Sequence, residues 1–249
     1  MITVGDILGY LCGKYPPDTA CDFDNVGLLI GDKNQTVTGA LVCLDFDKGA
    51  LVKALKEGCE LIITHHPVIF DPLKSITAES LVYRAVRAGV SVISMHTNLD
   101  IGEGGVNDRL CEALKLQNIT PFTAEDGYLL KCGSIAPIGA DDLAQQIKKQ
   151  LGGGVKYVSG DRMIERVLVC SGSGGGYLSE ALSGGFDALI TADVKHNVFV
   201  DAINYGISLF DAGHYDTEKV ICEPLSKELK ENFGDIEFIP YTHKMIKTA

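Results

Sequence analysis

Two adjacent histidines, His65 and His66, follow a short apolar run in the stretch LIITHHPVIF, residues 61–70. Imidazole nitrogens bind divalent transition metals and transfer protons near neutral pH. Neighbouring side chains on a regular strand point to opposite faces, so two such rings within a strand could not easily bind one ion. At a strand end turned by Pro67 they could reach two. The pair therefore predicts a site with a chemical role.

Other metal-binding side chains follow further apolar runs along the chain. They are His96 and Asp100 in the first half, Asp193 and His196 in the second half, and then His214 and Glu218. In parallel α/β sheets, ligands gather beyond the carboxyl ends of the strands. These groups are therefore predicted to face one another across a cleft.

The stretch DAGHYDTEKV, residues 211–220, adds a local spacing signal. If a helix begins near His214, then Glu218 lies four residues later on the same helical face and can share an ion with it. This spacing alone is a weak signal, and so is HTNLD alone, because a single histidine is more often a structural core or loop residue. The conjunction of these groups after apolar strands indicates the site.

The elements that must position these groups alternate along the chain. Short apolar runs such as GALVCLD, ELIITHH, VSVISMH, RVLVCSG, DALITAD and ISLFDAG alternate with amphipathic segments such as KGALVKALKEG and DDLAQQIKKQLG. This alternation predicts an α/β fold with largely parallel sheets. The runs are continuously apolar, which is typical of strands covered on both faces.

An internal repeat suggests two similar lobes. Residues 40–66 align with residues 167–193 without a gap, and ten of the 27 positions are identical. Shared ancestry explains the match, and so does the repeated use of similar strand and helix residues. We predict two similar α/β lobes related by internal duplication, with the metal-binding strand-end groups in the cleft between them. The lobes are predicted as residues 1–125 and 126–249, with the boundary in the turn-rich stretch PFTAEDGY and the segment from about residue 219 packing back on the first lobe.

Composition restricts the class of protein. The formal charge of −11 and the isoelectric point near 4.9 argue against a nucleic-acid surface. No apolar run is long enough for a membrane span and no basic leader opens the chain, so a cytoplasmic location is expected. The eight cysteines form no Cys-x-x-Cys pair and are predicted to be reduced.

Several motifs, in this order, resemble one known family. They are DFDNVGLLIG, ITHHPVIF, HTNLDIGEGGVND, GSGGG, TADVKHN and DAGHYDTE. Together they are similar to the Nif-three-like family of dinuclear metal-centre proteins, often labelled GTP cyclohydrolase I type 2 homologues. The similarity covers essentially the whole chain and matches the compact form without an inserted domain. One departure is Phe23, where members commonly carry tryptophan.

The resemblance implies a ligand set and an assembly. It implies that His65, His66, Asp100, His214 and Glu218 bind two metals, and that the chain forms a ring-shaped homohexamer, a trimer of dimers. Three imidazoles and two carboxylates can hold two divalent ions if the carboxylates are shared, and zinc, iron, manganese, cobalt and nickel all fit these ligands.

The reaction class follows from the chemistry of paired ions. Two adjacent divalent ions activate water near neutral pH, so we predict a hydrolase acting on a nucleotide or a related C–N or phosphoester substrate. GTP cyclohydrolase activity comes from the resemblance alone, and whether the protein is an enzyme stays open. A metallochaperone, storage or adaptor protein is the alternative, and a DNA-binding ring is a third.

Three weaker assignments complete the prediction. His96 is a candidate acid–base or positioning residue, with a backbone-bonded loop histidine as the alternative. Asp45 and Asp193 are candidates for orienting ligands. Gly172–Gly176 could cradle a phosphate before a helix or could form a tight turn, and Tyr177 stands where a dinucleotide fingerprint needs its third glycine.

Overall fold

The computed structural model describes residues 1–246. The helices are α1 (Val4–Lys14), α2 (Lys48–Glu57), α3 (Leu81–Ala88), α4 (Thr97–Ile101), α5 (Val106–Ala113), α6 (Ala140–Leu151), α7 (Leu178–Ser183), α8 (His196–Tyr205), α9 (His214–Glu218) and α10 (Cys222–Asn232). The strands are β1 (Gly27–Ile30), β2 (Gly39–Cys43), β3 (Leu61–Thr64), β4 (Ser91–Ser94), β5 (Gln117–Thr123), β6 (Leu129–Ile138), β7 (Lys156–Val158), β8 (Ile164–Ser173), β9 (Ala188–Ala192), β10 (Ser208–Asp211) and β11 (Glu237–Tyr241).

The chain forms two compact units, each built around one sheet. The first unit contains Met1–Glu103 and Cys222–Met245, and the second is built on Gly104–Ile221. The stretch PFTAEDGY, where the sequence predicts the lobe boundary, contains the end of β5 and the turn of the antiparallel hairpin β5–β6, within the second unit. The predicted boundary falls in a hairpin because hairpin turns and interdomain linkers contain the same turn-forming residues.

The sheet of the first unit has the strand order β1-β4-β3-β2-β11. Strands β4, β3, β2 and β11 pair in parallel, and β1 pairs antiparallel with β4 at the edge. Every residue of β2, β3 and β4 is buried, as expected for continuous apolar runs with both faces covered. One face packs Leu41, Ile62 and Val92 against α2 and α3.

The sheet of the second unit has the strand order β5-β6-β8-β9-β10-β7. Strands β8, β9 and β10 pair in parallel, whereas β5 with β6, β6 with β8 and β7 with β10 pair antiparallel. This sheet is therefore mixed, and not largely parallel as the sequence predicts, because β5–β6 is a hairpin and not a strand–helix–strand unit. Alternate residues of β8 enter two separate cores: Val167 and Val169 face one cluster, and Leu168 and Cys170 face the other. Both faces of β8 are covered over residues 167–170, so polar ligands can be placed only at the end of the strand.

Helix ends explain how short connections return the chain to the next strand. The Asp47 carboxylate caps α2 by accepting from the backbone N–H of Ala50 at 2.6 Å. Helices α2 and α3 end at Gly58 and Gly89, both with a left-handed φ near 70° that glycine adopts without steric cost. None of the helices within residues 1–246 combines the length and apolar character that crossing a membrane requires.

Candidate metal centre

His65 and His66 are placed by the backbone just past the end of β3. The N–H of His65 donates to Cys43 O at 3.1 Å, and the N–H of His66 donates to Leu44 O at 3.0 Å. The Thr64 hydroxyl lies 2.8 Å from the carbonyl of His66 and fixes the turn. Both rings therefore sit on a hydrogen-bonded backbone, with ring centroids 5.0 Å apart.

The Nδ1 atoms of three histidines in the first unit lie against oxygen acceptors. His65 Nδ1 donates to the carbonyl of Met95 at 2.9 Å, and a carbonyl only accepts, so this nitrogen carries the proton. His66 Nδ1 is 2.8 Å from an Asp45 carboxylate oxygen. His96 Nδ1 is 2.9 Å from an Asp24 carboxylate oxygen. In the neutral tautomer that these bonds favour, Nε2 carries the lone pair that a metal ion needs.

These three histidines converge on one point in the first unit. Each of His65, His66 and His96 offers a ring nitrogen within 4.8 Å of the others. Asp100, on the short helix α4, joins them: its Oδ1 lies 3.4 Å from His65 Nε2, and both residues are buried. The structure thus brings together three of the predicted ligands, and it places His96 beside them.

Asp24 is a functional candidate that the sequence analysis did not single out. Its fully buried carboxylate accepts hydrogen bonds from His96 Nδ1 and from the N–H and hydroxyl of Thr97. Burial acts to raise the pKa of Asp24, but these hydrogen bonds outweigh burial and hold its pKa well below the ordinary value. Asp24 is therefore ionised at neutral pH and orients His96.

The second unit presents His214 and Glu218 on α9, one helical turn apart as their spacing predicts. His214 Nε2 lies 3.0 Å from Glu218 Oε2, and His214 Nδ1 lies 2.7 Å from Asp193 Oδ2. Glu218 is 3% exposed. Asp45 and Asp193, both proposed as orienting residues, are thus each hydrogen-bonded to a predicted histidine ligand.

The glycine-rich stretch that begins in the last residues of β8 lies against Glu218. Gly172 has φ +58°, and a Cβ placed there would lie 2.1 Å from Glu218 Oε1. Its N–H donates to the Thr217 hydroxyl at 3.1 Å, and the N–H of Gly174 donates to the Thr191 hydroxyl at 2.8 Å. These two N–H groups are engaged by threonine hydroxyls of α9 and β9, which favours a tight turn over a phosphate cradle at Gly172 and Gly174.

His196 belongs to the predicted strand-end group, but its surroundings do not suit a metal ligand. It is exposed at the first residue of α8, and it enters none of the metal-competent groups found in the described part of the chain. A position shortly after a strand is therefore insufficient, because the following helix can turn the side chain to solvent.

The residues present fit a divalent metal ion. Two ligand atoms bound to one ion at about 2.1 Å are separated by about 3 to 3.4 Å in octahedral or tetrahedral geometry. The His65–Asp100 and His214–Glu218 separations of 3.4 and 3.0 Å match this range. Each histidine also has the outer hydrogen bond typical of metal ligands. Each unit therefore carries a histidine–carboxylate pair suited to metal binding.

Comparisons with known proteins relate the whole chain to one family. The family profile of Duf34/NIF3 (NGG1p interacting factor 3) matches residues 2–245. A protein of Clostridium perfringens named "GTP cyclohydrolase 1 type 2 homolog" is 29% identical over 95% of this chain and 95% of its own length. A protein of the same name from Lactococcus lactis is 34% identical over 80% of this chain and 81% of its own length.

The fold also matches a solved structure. The crystal structure of the Staphylococcus aureus hypothetical protein SA1388 superposes with a TM-score of 0.92 at 27% sequence identity, covering 100% of this chain and 99% of that one. The family profile, the relatives and the fold agree over the full length. The chain belongs to the DUF34/NIF3 family.

Proposed function

We propose that this protein binds two divalent metal ions through His65, His66, Asp100, His214 and Glu218, and that it is a metal-dependent hydrolase. The observation that carries the proposal is the hydrogen-bonding pattern of the three histidines in this set. Each places Nδ1 against an oxygen acceptor, at Met95, Asp45 and Asp193 respectively. This arrangement fixes the tautomer with the proton on Nδ1, in which Nε2 is the ligand atom.

The number of ligands in each unit is the reason for proposing that both units contribute to the two metal ions. The second unit contributes one imidazole and one carboxylate, and this pair alone fills only part of the coordination shell of a divalent ion. The first unit contributes two imidazoles and one carboxylate. Combining both sets holds two ions while leaving positions for water and substrate, which separates catalytic from structural sites.

The proposed reaction is hydrolysis of a nucleotide or a related C–N or phosphoester substrate. Ions held by these ligands would polarise the substrate and lower the pKa of water. The ionised Asp24, which accepts from the Thr97 hydroxyl, also bonds to His96 Nδ1 and holds the His96 ring in place. His96 is therefore the residue that we assign to moving a proton at the reaction centre. The names of the relatives from C. perfringens and L. lactis make GTP the first substrate to test.

The test combines metal analysis with a screen of substrates. Purified protein loaded with zinc, manganese, iron, cobalt or nickel would be assayed against GTP, other nucleotides and simple phosphoesters. We expect turnover that is lost in His65→Ala and retained in His196→Ala, which removes an exposed histidine outside the site. Tight but exchangeable metal with no turnover in any condition would contradict the hydrolase and favour a metal carrier.

We also propose that the two strand–helix modules arose by duplication. The modules β2-α2-β3-α3-β4 and β8-α7-β9-α8-β10 have the same strand order, and aligned residues Thr64 and Thr191 both occur at the ends of central strands, in β3 and β9. Aligning the first module of each family member with the second module of the other members would test this. Alignment at the 127-residue shift in many members supports common ancestry, and its absence would leave convergence.

The proposed assembly is a homohexamer arranged as a trimer of dimers, carried by the family resemblance. Exposed apolar side chains on α2 and α3 support buried subunit contacts: Val52 and Leu55 are 65% and 50% exposed, and Val86 is 62% exposed. Light scattering at low micromolar concentration should give six times the chain mass of 26.7 kDa. A mass of one chain would contradict the ring.

A further inference from the structure

Two phenylalanines of the first unit are exposed side by side. Phe23 is 64% exposed and Phe70 is 47% exposed, and their ring centroids are 6.1 Å apart with an interplanar angle of 36°. The other seven phenylalanines, all within residues 1–246, are buried or half-buried. We call Phe23 and Phe70 the aromatic platform.

The aromatic platform adjoins the histidine cluster. The Phe70 ring centroid lies 6.2 Å from that of His96 in an edge-to-face arrangement. The His96 centroid in turn lies 5.1 Å from His65 and 5.6 Å from His66. A row of rings therefore leads from the exposed platform to the predicted metal ligands.

The segments that carry the platform are fixed to each other. The Asn25 side-chain amide donates to Ile69 O at 2.6 Å, which links the segment after Phe23 to the residue before Phe70. Asp24 is bonded to His96 and Thr97, so the neighbour of Phe23 is held by the loop that carries His96. The platform is thus positioned by specific bonds, although its rings face solvent.

Exposed aromatic side chains beside a metal-binding cluster are suited to stack against the flat ring of a ligand. Bases stack on aromatic side chains regardless of sequence, because every base has a π-face. The acidic residues Asp22 and Asp71 adjoin the two phenylalanines in sequence, which disfavours an anionic membrane or nucleic-acid partner. A neutral planar ring of a small molecule fits both the apolar faces and the acidic surroundings.

We propose that the aromatic platform stacks the purine base of a nucleotide substrate beside the metal centre. This inference rests on the proposed function, because it names the substrate class of the same site. Phe23 and Phe70 then select for a flat ring, while the metal ligands act on the group attached to it.

The chain contains no tryptophan, which allows a direct optical test. Phe23→Trp keeps an aromatic ring and introduces a single indole into the platform. Titration of metal-loaded Phe23→Trp with GMP or AMP should quench the indole fluorescence in a saturable way. Ribose 5-phosphate, which has the same sugar and phosphate without a base, should leave the fluorescence unchanged. Adding Phe70→Ala should weaken GMP binding about tenfold, as loss of one stacking partner does.

Kinetics separate this inference from the proposed function. Phe23→Leu and Phe70→Leu keep apolar surface without the flat ring, and they should raise KM for a purine nucleotide about tenfold while metal content stays unchanged. Tyr205→Ala, which removes an exposed aromatic on α8, serves as the matched control. Turnover with unchanged KM in both leucine variants would overturn the platform and leave the hydrolase intact. Base-specific quenching without turnover would support the platform and contradict the hydrolase.

A second copy of the chain is the competing occupant. If it covers the platform, Phe70→Ala should lower the mass measured by light scattering, and GMP should produce no quenching in Phe23→Trp. That combination would overturn the stacking proposal. An unchanged mass together with base-specific quenching supports it.

Discussion

Each unit contains three central parallel strands that are adjacent in chain order, β2-β3-β4 and β8-β9-β10, but the ends of these strands carry different residues. In the first unit, Thr64 ends β3, and its hydroxyl lies 2.8 Å from His66 O and 2.7 Å from the Ser94 hydroxyl. In the second unit, the aligned Thr191 is in β9; its hydroxyl donates to Gly172 O at 3.1 Å and accepts from the N–H of Gly174. One buried threonine thus shapes a histidine turn, and the other shapes a glycine turn.

This contrast lies at the ends of the strands, where the candidate metal ligands are found. The buried strands supply apolar scaffolding in both units, whereas the residues at the strand ends differ: histidines follow β3, and glycines occupy the end of β8 and the loop after it. Gly172 has no Cβ and so leaves room for the Glu218 carboxylate. The comparison therefore predicts that a small substitution at a strand end next to a ligand disturbs metal binding more than the same substitution at a loop position that faces solvent.

Gly172→Ala should produce the largest effect. The added Cβ would meet Glu218 Oε1 at 2.1 Å, and φ +58° is strained for alanine, so the carboxylate must move. We expect metal affinity to fall by more than about a hundredfold, beyond the usual effect of an outer-shell change. Isothermal titration with zinc or manganese measures it. Gly176→Ala, in the same loop but with open space around its Cβ, should bind metal normally.

Equal losses in Gly172→Ala and Gly176→Ala would show that loop flexibility, and not the contact with Glu218, determines metal affinity. That outcome would remove the distinction drawn between the glycine turn and the histidine turn.

Asp45→Ala and Asp193→Ala should produce intermediate effects of similar size. Each removes the carboxylate that orients one histidine, His66 in the first unit and His214 in the second. We expect each variant to lose about 10-fold to 100-fold in metal affinity with its fold retained. Asp47→Ala is the matched control, because Asp47 caps α2 and its loss should cost about 1 kcal/mol of stability without a comparable loss of metal affinity.

A loss in only one of the two aspartate variants would show that the units contribute unequally to the metal centre. Normal metal affinity in both would show that these carboxylates orient nothing that the metal uses.

Thr64→Val and Thr191→Val should produce the smallest effects on metal binding. Valine matches threonine in shape but leaves buried partners without the hydroxyl, so each variant should lose about 1 to 3 kcal/mol of unfolding free energy. Urea unfolding followed by circular dichroism measures this loss. Similar values would sharpen the view of equivalent scaffold positions, and a loss near zero in one of them would break the equivalence.

Much of this architecture can be predicted from the sequence because it is encoded locally. Continuous apolar runs identify β2, β3, β4, β8, β9 and β10, and the spacing of His214 and Glu218 predicts their shared helical face. Asp24 could not be found in this way. Its partner His96 lies 72 residues later, and a hydrogen bond over that separation leaves no periodic signal.

The remaining differences have equally physical causes. Turn-forming residues predicted a lobe boundary at the hairpin turn of β5 and β6, because composition does not distinguish a linker from a hairpin. The parallel pairing of β11 with β2 joins segments far apart in the sequence. His196 follows a strand as the ligands do, but the first residue of α8 is exposed.

The central claim is that five residues bind two metal ions per chain, and the metal content of purified protein tests it most directly. Inductively coupled plasma mass spectrometry, with protein quantified by amino-acid analysis, should give about two divalent ions per wild-type chain. Glu218→Gln should empty at least one position while circular dichroism stays unchanged, and His196→Ala should keep both. Unchanged metal content in Glu218→Gln, or no bound metal in the wild type after loading, would contradict the claim.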